Sequence, residues 1–274
     1  MSGSARIERA GYRPYGGVLL PVHTRFWIVA LAHLWVCWKD KWFRRVLWFS
    51  FAPLFVFGGM VVVQYRIEKF AGPVQLWRPH WQLQAFGAMV MAYLAGRNGV
   101  ERDRLTGALW LYLSRPLRPA GYLLGKWLAV FLPVMAVLWV PQQLLLLFRL
   151  AVVPGFSAVS CLQNSAALVV CSGFASAAMS LVMLGIGSLT GSARAAGFVW
   201  LALAVVLPPV AQGLAEAFSN RQWVVLSFFQ AAEELASALL GSEGSLAELS
   251  LLSLAGWALA GLLVAGWRLS RARP

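Results

Sequence analysis

The sequence predicts an all-α integral membrane protein, and three observations carry that prediction. Apolar residues make up 60% of the 274 residues and charged ones only 12%, whereas soluble domains are about half apolar and a quarter charged. The apolar residues fall into runs close to the roughly 20 residues that a helix needs to cross the hydrocarbon core. The Lys and Arg residues gather between these runs, beside their ends, as they do in cytoplasmic loops of membrane proteins. The length allows six spans with short loops and leaves no room for a second large soluble domain. The net charge of +13 does not indicate a nucleic-acid partner, because it is dispersed along span ends and forms no single basic face.

Taken in order, residues 1–23 are a cytoplasmic lead broken by Gly11, Pro14, Gly16, Gly17 and Pro21. The lead has no apolar core and is not a cleavable signal, so the first spans must do the targeting. Residues 24–45 place Trp27, Leu31, Leu34, Trp35, Trp38 and Trp42 on one helical stripe, with His33, Asp40 and Arg44 opposite. The uncharged part of this segment is too short for a full span, a partial extra span being the alternative. Tryptophan favours the headgroup region, so the expectation is an amphipathic helix in the cytoplasmic interface.

Residues 46–267 form the transmembrane domain, with spans at 46–63, 81–96, 122–148, 165–189, 195–214 and 249–267. The second is short and is expected to extend further. Pro133 and Pro141 mark kinks in the third. Ser172, Ser176 and Ser180 form a row of small residues in the fourth, where helices can approach closely. The connections are a polar segment 64–80, a basic loop 97–121, a nearly uncharged loop 149–163, a tight turn 190–194 and a mixed segment 215–248. A span with Glu233 and Glu234 near its middle would be costly, so 215–248 is read as one or two helices on the outer face. A basic tail, 268–274, ends the chain. The basic lead, loop and tail put both termini in the cytoplasm of a bacterium, with the protein in its inner membrane. Arg66, Lys69 and Arg78 then fall outside, against the trend.

The chain carries no phosphate loop and no pair of histidines around a glutamate. His23, His33 and His80 lie outside the span cores, and the two aspartates, Asp40 and Asp103, lie in cytoplasmic segments. Cys37, Cys161 and Cys171 lack metal-site spacing. Gln82, Gln84, Gln142, Gln143, Asn164 and Gln212, near span ends, are read as bonding to neighbouring helices rather than lining a pathway. The methionine pairs Met89/Met91 and Met179/Met183 read as core filling. No catalytic group, metal or cofactor is expected in this chain, and a transport function would draw its energy from a partner.

The strongest motif is residues 101–126, ERDRLTGALWLYLSRPLRPAGYLLGK. By residue type it is a charged turn, a short amphipathic helix and a proline stop at Pro116, which an ordinary basic cytoplasmic loop would also show. The stretch resembles the loop between the second and third spans of ABC exporter permeases, the class that moves drugs, polysaccharides and lipids. The matching residues are Glu101 and Arg102, Gly107 and Leu109, Leu113 to Pro116, and Tyr122 to Lys126. Thr106 precedes Gly107 instead of following it, and Arg118-Pro119 replaces Ser-Arg. The layout of interfacial helix, six spans and outer segment is similar to that class throughout. The lead from Gly11 to Gly16 resembles the start of relatives of the nitrous-oxide-reductase maturation permease.

The resemblance implies a permease subunit driven by two copies of a separate ATPase, which would bind the ATP and Mg. It also implies a second permease copy, as a homodimer or close heterodimer. In the loop, Glu101, Arg102 and Arg104 would set the orientation of the ATPase, and Leu105, Leu109, Trp110 and Leu113 would anchor it. Two other readings stand beside this one. One is a scaffold that transmits force from the ATPase to an outer-face accessory protein without passing a substrate. The other is a membrane enzyme of unrecognised type.

Overall fold

The computed structural model describes residues 24–66, 77–97, 118–153, 155–240 and 246–271, with Pro21 and the pieces 99–100, 102–103 and 106–108. The described regular elements are all helical: α1 (Arg25–Lys39), α2 (Lys41–Phe49), α3 (Ala52–Arg66), α4 (Trp77–Gly96), α5 (Pro119–Val152), α6 (Ala158–Leu189), α7 (Ala193–Ala217), a 3₁₀ segment (Arg221–Leu226), α8 (Phe228–Leu239) and α9 (Ala247–Arg271). Among the described residues, five stretches are long and apolar enough to cross a membrane: Lys41–Val63, Pro119–Val152, Ala158–Leu189, Ala193–Ala217 and Ala247–Arg271.

The helices outrun the apolar windows from which they were expected. The 149–163 connection is shorter than expected, because α5 continues to Val152 and α6 starts at Ala158. Hydropathy locates only the part of a helix that fits the hydrocarbon core. The backbone still needs partners for its N–H and C=O groups beyond that layer, and continuing the helix supplies them. Starts are set by local capping: the Ser157 and Ser192 side chains accept from the N–H groups of Ser160 and Ala195. Pro133 and Pro141 lie inside α5, and Pro208 and Pro209 inside α7, without ending either helix.

The interfacial helix expected over 24–45 is interrupted. Asp40 adopts extended backbone and its carboxylate accepts from the Trp42 N–H, so α1 stops at Lys39 and a new helix starts at Lys41. Aspartate is a favoured N-cap, and Lys39-Asp40-Lys41 carried that signal. Trp42 and Arg44 therefore belong to α2, which runs on towards α3. α1 itself is inverted relative to a soluble amphipathic helix. Trp27, Leu31, Trp35 and Trp38 are exposed while Val29, Ala30, His33 and Cys37 are buried against the bundle. An apolar outer face with the lone imidazole turned inward suits a helix bathed in lipid.

α6 is the central helix: 67% of its apolar window is buried inside the protein, against 11% for α7. Its serine row is buried as expected, and it faces α5: Ser180 Oγ accepts from Trp127 Nε1 at 2.9 Å, and Ser176 Oγ lies 3.8 Å from Met135 Sδ. Close backbone approaches come further along. A Cβ on Gly185 would stand 2.9 Å from the Gly261 carbonyl of α9, and one on Gly187 would stand 3.0 Å from the Gly96 carbonyl of α4. α7 is pinned chiefly by Trp200, whose indole N–H donates to the Met89 carbonyl at 3.0 Å and whose ring stacks on Phe228. Met89, Met91, Met179 and Met183 fill the core.

The helices share two polar ends. At one, α1, the end of α4, the start of α5 and the end of α9 meet, with Val29, Tyr122, Leu184, Ala265 and Leu269 packed together. At the other, Gln143 bonds Ser165, and the 3₁₀ segment and α8 cover the start of α9 through Trp257 Nε1 on the Leu226 carbonyl. Here Glu233 receives Arg78 and Gln82, and Glu234 receives Arg221 at 2.9 Å. That supplies a partner for Arg78, one of the three cations that ran against the topology; Lys69 and the Arg66 side chain lie outside the described residues. α4 begins at Trp77, so His80 is inside a helix and not in the preceding connection. It is fully buried, edge-on to Phe57.

Candidate functional site: a charged joint at the base of the basic loop

Two helices must touch before the site exists. A Cβ on Gly125 would fall 2.6 Å from the Phe26 carbonyl and 2.8 Å from Val29 Cβ, so the glycine lets α1 lie directly on the first turns of α5. This contact carries His33, one turn beyond Val29, over Lys126. The imidazole Nε2 sits 2.8 Å from the Ala95 carbonyl, and Nδ1 sits 3.2 Å from Lys126 Nζ. A carbonyl only accepts and an ammonium only donates. Both contacts are therefore met by the neutral tautomer with its proton on Nε2. Burial first, and the Lys126 charge next, push His33 down to about 4, so the ring stays neutral at physiological pH.

Lys126 then donates to Asp103 Oδ2 at 2.7 Å, and the Tyr122 hydroxyl donates to the same oxygen at 2.8 Å. The side chains of Lys126 and Asp103 are only 5% and 15% exposed. A second pair lies beside this one: Arg97, at the end of α4, donates to Asp40 Oδ2 at 2.7 Å, while Asp40 caps α2 through its other oxygen. A cavity of about 390 Å³ separates the two pairs, lined by His33, Asp40, Arg97, Arg102, Asp103 and Lys126 among others. Cys37 also borders it. Burial raises its thiol to about 11, which keeps it protonated and unreactive.

The chemistry of this arrangement is mechanical. Arg97 opens the basic loop and Lys126 follows it. Each is held by an aspartate, and His33 and Asp40 tie both ends to α1 and α2. Hydrogen-bonded charge pairs have narrow geometry, and the Lys126–Asp103 pair is buried while the Arg97–Asp40 pair is half-buried, so Arg97 and Asp103 are coupled to α1, α4 and α5. Between the pairs, Thr106 N–H and Oγ1 both donate to the Arg102 carbonyl, and Gly107 has φ of +71°. The unusual Thr106-Gly107 order thus puts the glycine where left-handed backbone is needed.

Of the loop residues singled out from sequence, Arg102 is exposed at the cavity mouth. Glu101, Arg104, Leu105, Leu109, Trp110 and Leu113 lie outside the described residues. The aspartates were the signal for the joint: Asp40 and Asp103 are the chain's two aspartates, both in basic segments. Their partners are 57 and 23 residues away, too far for any local rule to pair them. Of the span-end glutamines, Gln82, Gln84 and Gln143 bond to neighbouring helices, Gln84 through the Ser50 carbonyl at 2.9 Å, whereas Gln212 is exposed. Comparison with models of known protein families gives no match, and comparison with curated proteins gives none either.

Proposed function

We propose that this chain is the membrane-spanning subunit of an ATP-driven ABC transporter of the exporter class, with the basic loop receiving a separate ATPase. The class rests on the resemblance of residues 101–126. The observation that best supports the coupling role is the charged joint: the half-buried Arg97–Asp40 pair ties one end of the loop to the elbow between α1 and α2, and at the other end Lys126 holds Asp103 of the loop in a buried pair while contacting His33 of α1. In this reading ATP-driven movement of a docked ATPase enters at the loop and leaves as a tilt of α1, α4 and α5. The permease would act as a pair of copies with two ATPases, twofold symmetry being the usual solution for such assemblies.

Six spans follow if α4 is added to the five apolar stretches. Arg78 and Arg97, paired at opposite ends of α4, are about 28 Å apart by helical rise, close to the thickness of the hydrocarbon core of about 30 Å. The low hydropathy of α4 has a physical reason, because His80 and Gln84 face protein and not lipid. The end with the joint also holds Lys39, Lys41, Arg44, Arg45, Arg194, Arg268 and Arg271, against Arg78, Arg149 and Arg221 at the other. That asymmetry supports a cytoplasmic joint in the inner membrane. Reporter fusions at Ser4, Arg104, Ser237 and Arg271 are expected to read in, in, out, in. An inside signal at Ser237 would remove one span from this topology.

The coupling role is tested by co-purification of the ATPase. Leu109→Ala/Trp110→Ala is expected to weaken docking by about 1–3 kcal/mol, the range for anchor residues at interfaces. Charge reversal at Glu101 or Arg104 should weaken it as well, with insertion of the permease unchanged. Wild-type ATPase binding and stimulation in every variant would reduce the loop to a topological anchor.

A further inference from the structure

The cavity of about 390 Å³ inside the charged joint has an unbalanced lining. Three cations border it, each from a different part of the chain: Arg97 at the end of α4, Arg102 in the loop and Lys126 in α5. Among the described residues, two carboxylates border it, Asp40 and Asp103. His33 adds no charge, because its two contacts require the neutral ring. Both carboxylates are already committed. Asp40 Oδ2 accepts from Arg97 and Oδ1 from the Trp42 N–H, and Asp103 Oδ2 accepts from both Lys126 and the Tyr122 hydroxyl. The cations are not. A guanidinium carries five N–H donors. Arg97 commits one of its nitrogens to Asp40, and the Arg102 side chain makes no hydrogen bond or ion pair among the described residues. The lining therefore keeps one positive charge and a set of cationic donors in excess of its acceptors.

We propose that this cavity binds a phosphate group, with Arg97, Arg102 and Lys126 around it. A tetrahedral oxyanion presents acceptors in several directions and can meet cations arriving from three parts of the chain, whereas a carboxylate presents its two oxygens in one plane. Arginine suits phosphate because its planar fork bonds two oxygens at once. The phosphate has two possible sources. It is either the free inorganic ion or the head group of a phospholipid, since Val29, Ala32, Val36 and Leu94 give the cavity an apolar wall on the side of α1 and α4. Seated between the two ion pairs, the phosphate would brace Arg97 against Lys126 and so join the two ends of the loop. Binding does not depend on the transport reading, because every group involved belongs to this chain.

The test is isothermal titration of the detergent-purified chain, at fixed ionic strength in chloride, with inorganic phosphate, dihexanoylphosphatidylglycerol or dihexanoylphosphatidylcholine. Binding of inorganic phosphate identifies the free ion as sufficient, and binding of phosphatidylglycerol alone identifies the lipid head group; either supports the proposal. Phosphatidylcholine brings its own cation into the same field and should bind more weakly than phosphatidylglycerol. Arg102→Gln should weaken binding by about tenfold or more, as expected for loss of a charge-assisted hydrogen bond. Arg102 is exposed, so this variant should fold, and an unfolding midpoint close to wild type without ligand checks that. Arg194→Gln/Arg271→Gln removes two exposed cations at the same end of the bundle and should bind like wild type. Absence of binding by both phosphate and phosphatidylglycerol, unchanged binding by Arg102→Gln, or an equal loss in Arg194→Gln/Arg271→Gln would overturn the proposal.

Discussion

Gly261→Val is expected to destabilise the bundle by about 3 kcal/mol or more, the upper end of the range for overpacking a tight interior. A Cβ at this position would fall on the Leu181 carbonyl and the Val182 amide. These are backbone atoms in the last third of α6, and no rotamer change can move them aside. α6 and α9 would have to separate, and with them the paired approach of Gly185. Gly261→Ala already introduces the offending atom and should lie between wild type and valine. Gly256→Val is the control: it is on the same helix, and a Cβ there meets nothing within 4 Å. Thermal unfolding in detergent should place the Gly261 variants well below wild type and Gly256→Val close to it. Indistinguishable melting of Gly256→Val and Gly261→Val would show that the α6–α9 contact is not the tight one.

The second large effect is expected from Asp103→Asn. It leaves the Lys126 ammonium, 5% exposed, facing a neutral amide and a neutral imidazole. Removing one partner of a buried ion pair costs about 3–5 kcal/mol, because the remaining charge stays desolvated without compensation. Lys126→Met removes the other partner and should be milder, since Asp103 keeps the Tyr122 hydroxyl and is the more exposed of the two. The double variant Asp103→Asn/Lys126→Met should recover most of the loss, because neither buried charge remains. Unfolding midpoints read the stability. Under the transport reading proposed above, ATPase stimulation in a reconstituted complex reads the joint, and the double variant is expected to fold but to couple poorly. Full coupling in a stable double variant would detach the ion pair from transmission.

Local rules reached the helical parts of this protein because each depends on residues close in sequence. The apolar windows gave six spans, and five of them coincide with described stretches long and apolar enough to cross a membrane, the window at 81–96 falling in α4, which is not one of the five; short helices occupy 221–226 and 228–239, within the segment of mixed composition. The same windows misjudged the ends of α5 and α6, where helices persist through polar residues. They also passed over the break at Asp40, although an aspartate between two lysines is a capping signal. His33 illustrates a half-legible residue. Its position opposite the tryptophan stripe could be read from periodicity, whereas its tautomer and neutral state depend on Ala95 and Lys126, brought to it by α4 and α5.

The sequence by itself determined that the chain is helical, apolar and basic at one set of span ends, since hydropathy and charge are properties of residues and their neighbours along the chain. Tertiary structure decided which of those charges are spent on one another. Asp40 meets Arg97, Asp103 meets Lys126, and Glu233 meets Arg78 only after α1, α4, α5 and α8 have packed. Packing in turn depends on where backbones can touch, at Gly125 under Phe26 and at Gly185 against Gly261. A glycine in a membrane helix is common, and nothing local distinguishes these from Gly173 or Gly256, which face open space. The difference lies in the surface of the opposing helix, which periodicity along one chain segment does not contain.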